Sequence, residues 1–402
     1  MKHLGDITQI SGKRVEPVDC ITFGSPCQDL SIAGKRAGLA GERSGLFMEA
    51  VRIIKEMRSA TNGVCPAFAV WENVPGTFSS HKGEDFRAVL EELAKIECPW
   101  AAIPGPPGGK WRPAGCVVGD GWSIAWRVLD AQYWGVPQRR RRIALVLDLG
   151  GHRAPEILFE RAGLPGNPSA GRWTWEASTG RFVPCAVVSD QAQPSGDGVG
   201  PGGLGKAHVF ENHAQDSRIT ELDGVCCTVS ARWGTGGNNQ PLIAKAVDCR
   251  NLCVGDVSPT LQAKENGGQS LNYIGPVLQR ITHALWIVRR ITPTEAERLQ
   301  GYPDGWTDIG PWRDSKGKLH KESSDSARYR AIGNSIALPQ WAWLMDRMAQ
   351  YLPAGATLGS LFDGIGGFPL VWERIHGKGT ARWASEIEEF CIAVTKYHFG
   401  ED

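Results

Sequence analysis

A cysteine between a proline and a glutamine ends the apolar run Val18-Asp19-Cys20-Ile21-Thr22-Phe23-Gly24-Ser25-Pro26-Cys27-Gln28. The run is short and apolar and stops at a Gly-Ser-Pro turn, which is the pattern of a buried strand. Proline fixes its own backbone and restricts the residue before it, so Cys27 leaves the strand on a stiff loop. The carboxyl ends of strands are where open α/β sheets bind their ligands. A thiol there could serve as a nucleophile, but a free cysteine with a pKa near ~8.5 is only a few per cent thiolate at neutral pH. Cysteine is more often a small buried apolar residue, so Cys27 alone settles nothing.

A second chemical feature lies at the other end of the chain. Thr357-Leu358-Gly359-Ser360-Leu361-Phe362-Asp363-Gly364-Ile365-Gly366-Gly367-Phe368 reads as a strand, a glycine-rich turn and a helix. Glycine there lets backbone N–H groups approach a ligand at the helix's amino end. The next apolar run, 379–385, ends in Glu386, placed at a strand tip to accept hydrogen bonds from ribose hydroxyls. Together these elements point to a nucleotide-like cofactor.

The elements that must position these groups follow from periodicity. Between residue 1 and about 150, candidate strands at 19–24, 67–72, 123–129 and 142–147 alternate with amphipathic stretches. One stretch carries Leu46, Phe47, Ala50, Val51 and Ile54 on one face; another carries Phe86, Val89, Leu90 and Leu93. That alternation predicts a parallel, helix-covered sheet. The Pro/Gly-rich stretch 98–121 reads as a surface loop. From about 151 to 285 helical periodicity fades and short β-like runs take over. Two of them share a pattern, Val225 to Arg232 and Val257 to Lys264, each before a double glycine. They read as two similar hairpins, or as two loops each presenting a cation to a shared ligand. After about 286 helices return.

The chain has 402 residues, 42% hydrophobic and 22% charged, with a formal net charge of +1. This is globular composition, and a protein basic all over is excluded, though a local basic cleft is not. Eleven cysteines and an amino terminus, Met1 to Asp6, without an apolar core suggest free thiols in a reducing cytoplasm. No cysteine pair has zinc-ribbon spacing, so no metal site is expected. No apolar stretch reaches the ~20 residues a membrane span needs, and a soluble protein is expected.

These pieces resemble the DNA (cytosine-5) methyltransferases. Pro26-Cys27-Gln28 is similar to that family's catalytic loop, Glu72-Asn73-Val74 to its acidic motif and Gln138-Arg139-Arg140-Arg141-Arg142 to its arginine motif. Arg298-Leu299-Gln300-Gly301-Tyr302-Pro303 and Gly333-Asn334-Ser335 are similar to two late motifs, and Phe362-Asp363-Gly364-Ile365-Gly366-Gly367 to the S-adenosylmethionine loop. The implied fold is α/β: an S-adenosylmethionine-dependent methyltransferase fold, mostly parallel twisted sheet flanked by helices, with a smaller irregular β-rich target-recognition domain. On that pattern the catalytic domain comprises 1–150 and 286–402, and the target-recognition domain 151–285. The chain order departs from the family's, because the cofactor loop and Glu386 come last and Gly5-Asp6-Ile7 comes first. The chain therefore looks circularly permuted, with residues 397–402 close to Met1, as surface termini allow.

The resemblance implies roles for individual residues. Cys27 would add to carbon-6 of cytosine and make carbon-5 nucleophilic, and Glu72 would hydrogen-bond or protonate ring nitrogen 3. Arg142, with Arg140 on the same side of an extended segment, would face the base's carbonyl oxygen, while Arg139 and Arg141 face away. Asn73 and Gln138 accompany these motifs at the substrate. The target base must swing out of the duplex. Gln28 would then contact DNA or the gap left in it, and the glycine-rich segment 31–44, with Ser31, Lys35 and Arg36, would cover the flipped base. Thr228 is similar to a threonine signature near that base, and Arg232 and Lys264 are candidate base or phosphate contacts. Phe362, Gly364, Gly366 and Gly367 would line the methionine and ribose part of the cofactor, and Glu386 the ribose hydroxyls. Asp6 would accept from the adenine amino group, with Ile7 against the ring and Asn334 and Ser335 beside the pocket.

The expected reaction is transfer of methyl from S-adenosyl-L-methionine to cytosine in double-stranded DNA, leaving S-adenosyl-L-homocysteine. The setting would be restriction-modification or phage related, a cognate restriction endonuclease the partner such a role could bring. One site per chain needs no second subunit, so a monomer is expected. The alternatives are an RNA cytosine-5 methyltransferase, a non-catalytic DNA- or cofactor-binding protein, and a flavin or nicotinamide enzyme suggested by the glycine turn alone.

Overall fold

A computed structural model describes residues 1–25, 45–159, 173–176, 181–184, 208–212, 219–222, 226–231, 233, 242–248, 253–255 and 285–400. Its centre is an eight-stranded sheet. In chain order its strands are β1 (Lys2–His3), β2 (Cys20–Phe23), β3 (Phe68–Asn73), β4 (Ala114–Val118), β5 (Ser123–Asp130), β6 (Arg141–Asp148), β7 (Leu358–Leu361) and β8 (Ala381–Ser385). In space they run β1-β8-β7-β2-β3-β6-β5-β4. The first five of that order pair in parallel; β6 is antiparallel to β3 and β5, and β4 to β5. Strands β1, β8, β7, β2 and β3 therefore deliver their carboxyl ends to one edge, and β6 starts there.

Both faces of the sheet are buried, which is why its strands read as near-continuous apolar runs. Alternate residues of β3 go to opposite sides: Phe68 and Val70 join one core, Ala69 and Trp71 the other. The second core takes Phe47, Val51 and Ile54 of α1 (Gly45–Ala60) and Phe86 and Leu90 of α2 (Glu84–Ala94), the faces the periodicity indicated. The first core takes α3 (Ala154–Leu158), α4 (Pro293–Gln300), α5 (Asp325–Asn334), α6 (Leu338–Ala349), α7 (Gly367–His376) and α8 (Glu389–Phe399). Each large apolar side chain buried there stabilises the fold by roughly 1.5–3 kcal/mol. α4 starts on a capping box, Thr292 with Glu295, and stops at Gly301 in the left-handed conformation, φ 79°.

The stretch 98–121, read as a surface loop, contains β4. Its Gly115 is required because the Trp126 ring occupies the space of a side chain there. Trp111 packs edge-on against Phe86 and Trp126, with ring centroids 5.2 and 5.8 Å away. Glycine and proline weaken a strand signal yet are tolerated at an edge, so the periodicity missed it.

Within 151–285 the described strands include a five-stranded antiparallel sheet, which also takes Leu285–Arg290, and a separate hairpin of Trp173–Glu176 with Arg181–Pro184. Residues Cys226, Val229 and Trp233 instead pack into the first core, as does α3. Of the paired repeats, Val257 to Lys264 lies outside the described residues. The two ends of the chain meet: β1 pairs with β8, the Met1 amine donates to Phe399 O at 2.6 Å, and His3 Nε2 lies 2.9 Å from Thr395 Oγ1. No described helix is long and apolar enough to cross a membrane, and no described cluster of His, Cys, Asp and Glu could hold a metal ion.

Candidate active site

The crevice lies outside the shared carboxyl edge, where β7 is flanked by β8 on one side and β2 on the other. Such a point, where the order of parallel strands switches sides, is where doubly wound sheets bind ligands. Cys27, Gln28, Ser31, Lys35 and Arg36 lie outside the described residues, as do Arg232 and Lys264. The approach to Cys27 is well fixed. Ser25 is buried, its carbonyl accepts from Asn73 Nδ2 at 3.0 Å and its hydroxyl from Trp71 Nε1 at 3.2 Å. A Cβ on Gly24 would stand 3.0 Å from Glu72 Oε2. The loop that carries Cys27 thus departs beside the Glu72 carboxylate.

Glu72, the penultimate residue of β3, lies opposite Ala144 of β6, two residues from Arg142, whose Nε lies 2.8 Å from Glu72 Oε1. The pair retains some solvent access, with side chains 17% and 15% exposed, so it can meet a ligand. Its neighbours in the arginine segment alternate as extended backbone demands. Arg139 and Arg141 are exposed, and Gln138 and Arg140 are buried.

Three residues expected at the substrate are used internally instead. Arg140 donates from Nη1 to Val229 O at 3.1 Å and from Nη2 to Gly333 O at 3.0 Å, and it also bonds Ser335 O. Burial, and secondly the Arg142 charge, push its guanidinium down from the ordinary value. Gln138 is fully buried, donates to Leu299 O at 2.7 Å and accepts from Val229 N at 2.9 Å. Asn73, bonded to Ser25 O, also accepts from Val74 N at 2.8 Å. These three hold the walls of the site together and are corrected from ligand contacts to positioning residues. Burial and the long-range carbonyl partners are the reason. Thr228 is exposed beside the arginine segment and donates to Arg139 O at 2.5 Å.

The end expected to hold the cofactor is built around the turn from β7 to α7. Phe362 takes φ 57° and Gly364 φ 59°, left-handed conformations that bring the chain back on itself. Nothing stands within 4 Å of where a Cβ on Gly364 would be, whereas one on Gly367 would meet the Tyr302 hydroxyl at 2.4 Å. Gly366 caps α7. Glu386 Oε2 accepts from Gly364 N at 2.8 Å, and Oε1 from Ile387 N and Glu388 N at 2.8 and 2.9 Å. At the next strand tip Asp6 is exposed and accepts from Thr8 N at 2.9 Å, while Ile7 is buried in the second core. Ser335 is buried with its hydroxyl 2.5 Å from that of Tyr302, and Asn334 is exposed.

Two contributors escaped the sequence reading. Tyr302 was noted only as part of a motif, yet its hydroxyl joins Ser335 to the floor below Gly367. Asp363 sits inside the glycine turn, 5% exposed, with Oδ1 bonded to Ser360 Oγ at 2.6 Å and a buried Oδ2 that has no partner among the described residues. An acid between Phe362 and Gly364 was the signal that could have marked it. A glycine-lined turn, a strand-tip carboxylate and a buried acceptor in need of a donor fit S-adenosylmethionine, which carries ribose hydroxyls, an adenine amino group and an ammonium.

Residues 1–98 match the family described as C-5 cytosine-specific DNA methylase, a span that includes Cys27 and Glu72. The amino-terminal part of the chain is thus similar to that family. Over 425 residues it is 29% identical to "DNA N-6-adenine-methyltransferase" of Escherichia phage P1, covering 87% of this chain and 55% of the relative. It is 32% identical over 168 residues to "Type II methyltransferase M.BsuFI" of Bacillus subtilis, covering 42% and 32%. To "Type II methyltransferase M2.BsuMI" of Bacillus subtilis (strain 168) it is 23% identical over 364 residues, covering 89% and 66%. The chain thus spans about half the length of the phage P1 relative and a third of M.BsuFI.

Proposed function

We propose that this protein is a C-5 cytosine-specific DNA methylase that transfers a methyl group from S-adenosyl-L-methionine to carbon-5 of a flipped-out cytosine in a short duplex DNA sequence. The observation that carries this reading is the Glu72–Arg142 pair, 2.8 Å apart, at the mouth of the loop that bears Cys27. Cytosine carbon-5 is a weak nucleophile. Addition of the Cys27 thiolate to carbon-6 forms an S–C bond and moves the ring's electron pair toward nitrogen 3 and carbon-5, dividing one hard step into easier ones. Glu72 hydrogen-bonds or protonates nitrogen 3, and Arg142 holds Glu72 while its remaining N–H groups face the base's carbonyl oxygen. The cofactor, when bound, supplies the electrophilic methyl group. Loss of the carbon-5 proton to a base, with departure of the Cys27 thiolate, restores the ring.

Phe362, Gly364, Gly366 and Gly367 hold the cofactor with Glu386 on the ribose, Asp6 and Ile7 at the adenine, and Asn334 and Ser335 alongside. Residues 151–285 act as the target-recognition domain, with Thr228, Arg232 and Lys264 toward DNA. Gln28 and the segment with Ser31, Lys35 and Arg36 close on the extruded base. Relative to the family's usual order the chain is circularly permuted; the adjoining ends and the pairing of β1 with β8 support this. A restriction-modification role accords with the names of the B. subtilis relatives.

A second reading, methylation of adenine N6, is favoured by the phage P1 relative's name. That relative extends well beyond the region matched, and the adenine reaction needs no thiol nucleophile. Base-resolution mapping of 5-methylcytosine and N6-methyladenine in DNA from cells making the wild type or Cys27→Ala separates the two. Cytosine methylation at one motif, absent with Cys27→Ala, is the expected result. Adenine methylation that survives Cys27→Ala would replace this reading with the second.

A further inference from the structure

Away from the crevice, β1 and the segment 9–16 enclose a second cleft, of about 390 Å³. Lys2 lies opposite Trp383 in the pairing of β1 with β8, and Leu4 shares their face. The cleft is lined at these residues, at Ile10 and at Val15, not at Asp6 or Glu386, so it is separate from the proposed cofactor end. Its wall is tied to the body of the protein. Arg52 of α1 donates from Nη2 to Ile10 O at 2.9 Å, Gly12 N to Glu56 Oε2 at 2.7 Å, and Trp383 Nε1 to Glu16 O at 2.8 Å. Arg14 N and Val15 N both donate to Ser11 O, at 3.0 and 3.2 Å, which closes a tight turn in the wall. A cleft fixed in this way is pre-formed, and small-molecule sites are commonly clefts of about 300–1,000 Å³.

Three cations line the cleft. Lys2, Arg14 and Arg382 are all exposed, and the one carboxylate among the lining residues, Glu16, lies 3.3 Å from Arg382 Nε. The lining therefore carries two positive charges in excess, in a protein whose net charge is only +1. Leu4, Ile10, Val15 and Trp383 supply its apolar part. Apolar walls keep the local dielectric low and strengthen the field of cations beside them.

Those features select a ligand. A carboxylate would answer one of the two charges, whereas a phosphomonoester carries about −1.5 to −2 at neutral pH. Its oxygens also match the forked N–H groups of two arginines. A phosphate of the DNA backbone carries a single charge and sits on a convex surface that does not fill a cleft. A sugar phosphate would leave hydroxyls unpaired against the apolar lining, whereas a nucleobase presents a flat face that needs no hydrogen bond. We propose that the cleft is a second ligand site, which takes a nucleoside monophosphate with its phosphate among Lys2, Arg14 and Arg382 and its base against Leu4 and Val15. Such a site stands whatever group the crevice transfers.

The test pairs a change in the protein with one in the ligand. Binding of the four 2′-deoxynucleoside 5′-monophosphates, of the corresponding deoxynucleosides and of inorganic phosphate is measured by titration calorimetry with the full chain. At least one monophosphate should bind roughly tenfold or more tightly than its deoxynucleoside or phosphate alone, since each of those lacks half of the contact. Arg14→Gln combined with Arg382→Gln should lower that affinity roughly ten- to a hundredfold while leaving the weak binding of the deoxynucleoside unchanged. Both side chains are exposed, so the double variant should fold. Lys2→Gln should weaken the same ligand by a smaller factor, and serves if the double variant does not fold. Saturating S-adenosyl-L-homocysteine should leave the nucleotide's affinity as it is. A folded wild type that binds none of the four overturns the proposal, as does affinity undiminished in the variants. Phosphate bound as tightly as the nucleotide would mean an ion site only, and a nucleotide displaced by S-adenosyl-L-homocysteine would lie in the crevice; either result also overturns it.

Discussion

The two halves of the crevice are held by opposite means. At the proposed cofactor end the fixed groups are carboxylates, and the partners that hold them are local. Glu386 is bound by three backbone N–H groups, two of them adjacent in sequence, and Asp363 by a hydroxyl three residues away. At the proposed base end the fixed groups are a guanidinium and two amides, and their partners are distant. Arg140 joins carbonyls 89, 193 and 195 residues along the chain. The first half is close to self-sufficient in the segment from β7 to Glu386, whereas the second exists only when three remote segments have assembled. Chemistry and stability should therefore separate cleanly at the base end and overlap at the cofactor end.

The sharpest break of that comparison is Glu72→Gln. Methylation should fall by roughly 10²–10⁴-fold, the usual range for loss of a positioned acid–base group. The ion pair is partly exposed, so the stability lost in urea unfolding should be no more than ~1–2 kcal/mol. A drop in rate explained entirely by unfolding would show Glu72 to be structural.

Arg140→Met should do the reverse. The substitution keeps most of the volume but leaves three carbonyls without their donor, each costing about 1–3 kcal/mol where no water replaces it. A loss of at least ~3 kcal/mol in urea unfolding is expected, with methylation falling only as far as the folded fraction does. If instead the variant stays stable but cannot methylate, Arg140 touches the base after all.

This contrast also explains what was legible before the fold was known. The buried strands and the faces of α1 and α2 could be read because parallel sheets are apolar on both sides and their helices on one. The turn from β7 to α7 could be read because left-handed backbone at Gly364 and Gly366 favours glycine. Alternation groups Arg140 with Arg142, and the motif carries Gln138 to the substrate, but neither shows that Gln138 and Arg140 bond inward, since a backbone carbonyl on a remote segment has no sequence signature. Asp363 is hidden by the glycine spacing around it, and only burial shows an acceptor without a donor among the described residues.

A smaller effect sharpens the cofactor half. The folded chain holds a proton on Asp363 that the unfolded chain releases at ordinary carboxylate pH, the folded value being raised to about 8. Stability should accordingly decline as pH rises from about 4 to 8, and be fully retained only at the acid end of that window. Asp363→Asn has no proton to lose. Its melting temperature should rise relative to the wild type's across that interval, and a constant difference would mean that Asp363 is ionised in the fold.

The smallest expected effect returns to the arginine segment, where alternate residues have opposite surroundings. Arg139 and Arg141 are exposed, so replacing both with alanine should alter stability by no more than ~0.5 kcal/mol. Their consequence should appear in the salt dependence of DNA binding. Each lost phosphate contact lowers the slope of log affinity against log salt by about 1, without favouring any sequence. The double variant should thus bind all duplexes more weakly at low salt, converge on the wild type at high salt, and keep its preferred methylation motif. A changed motif would place one of these side chains at a base edge. An unchanged slope would mean that this side of the segment faces water, and that the DNA meets the crevice only from the side of Glu72 and Arg142.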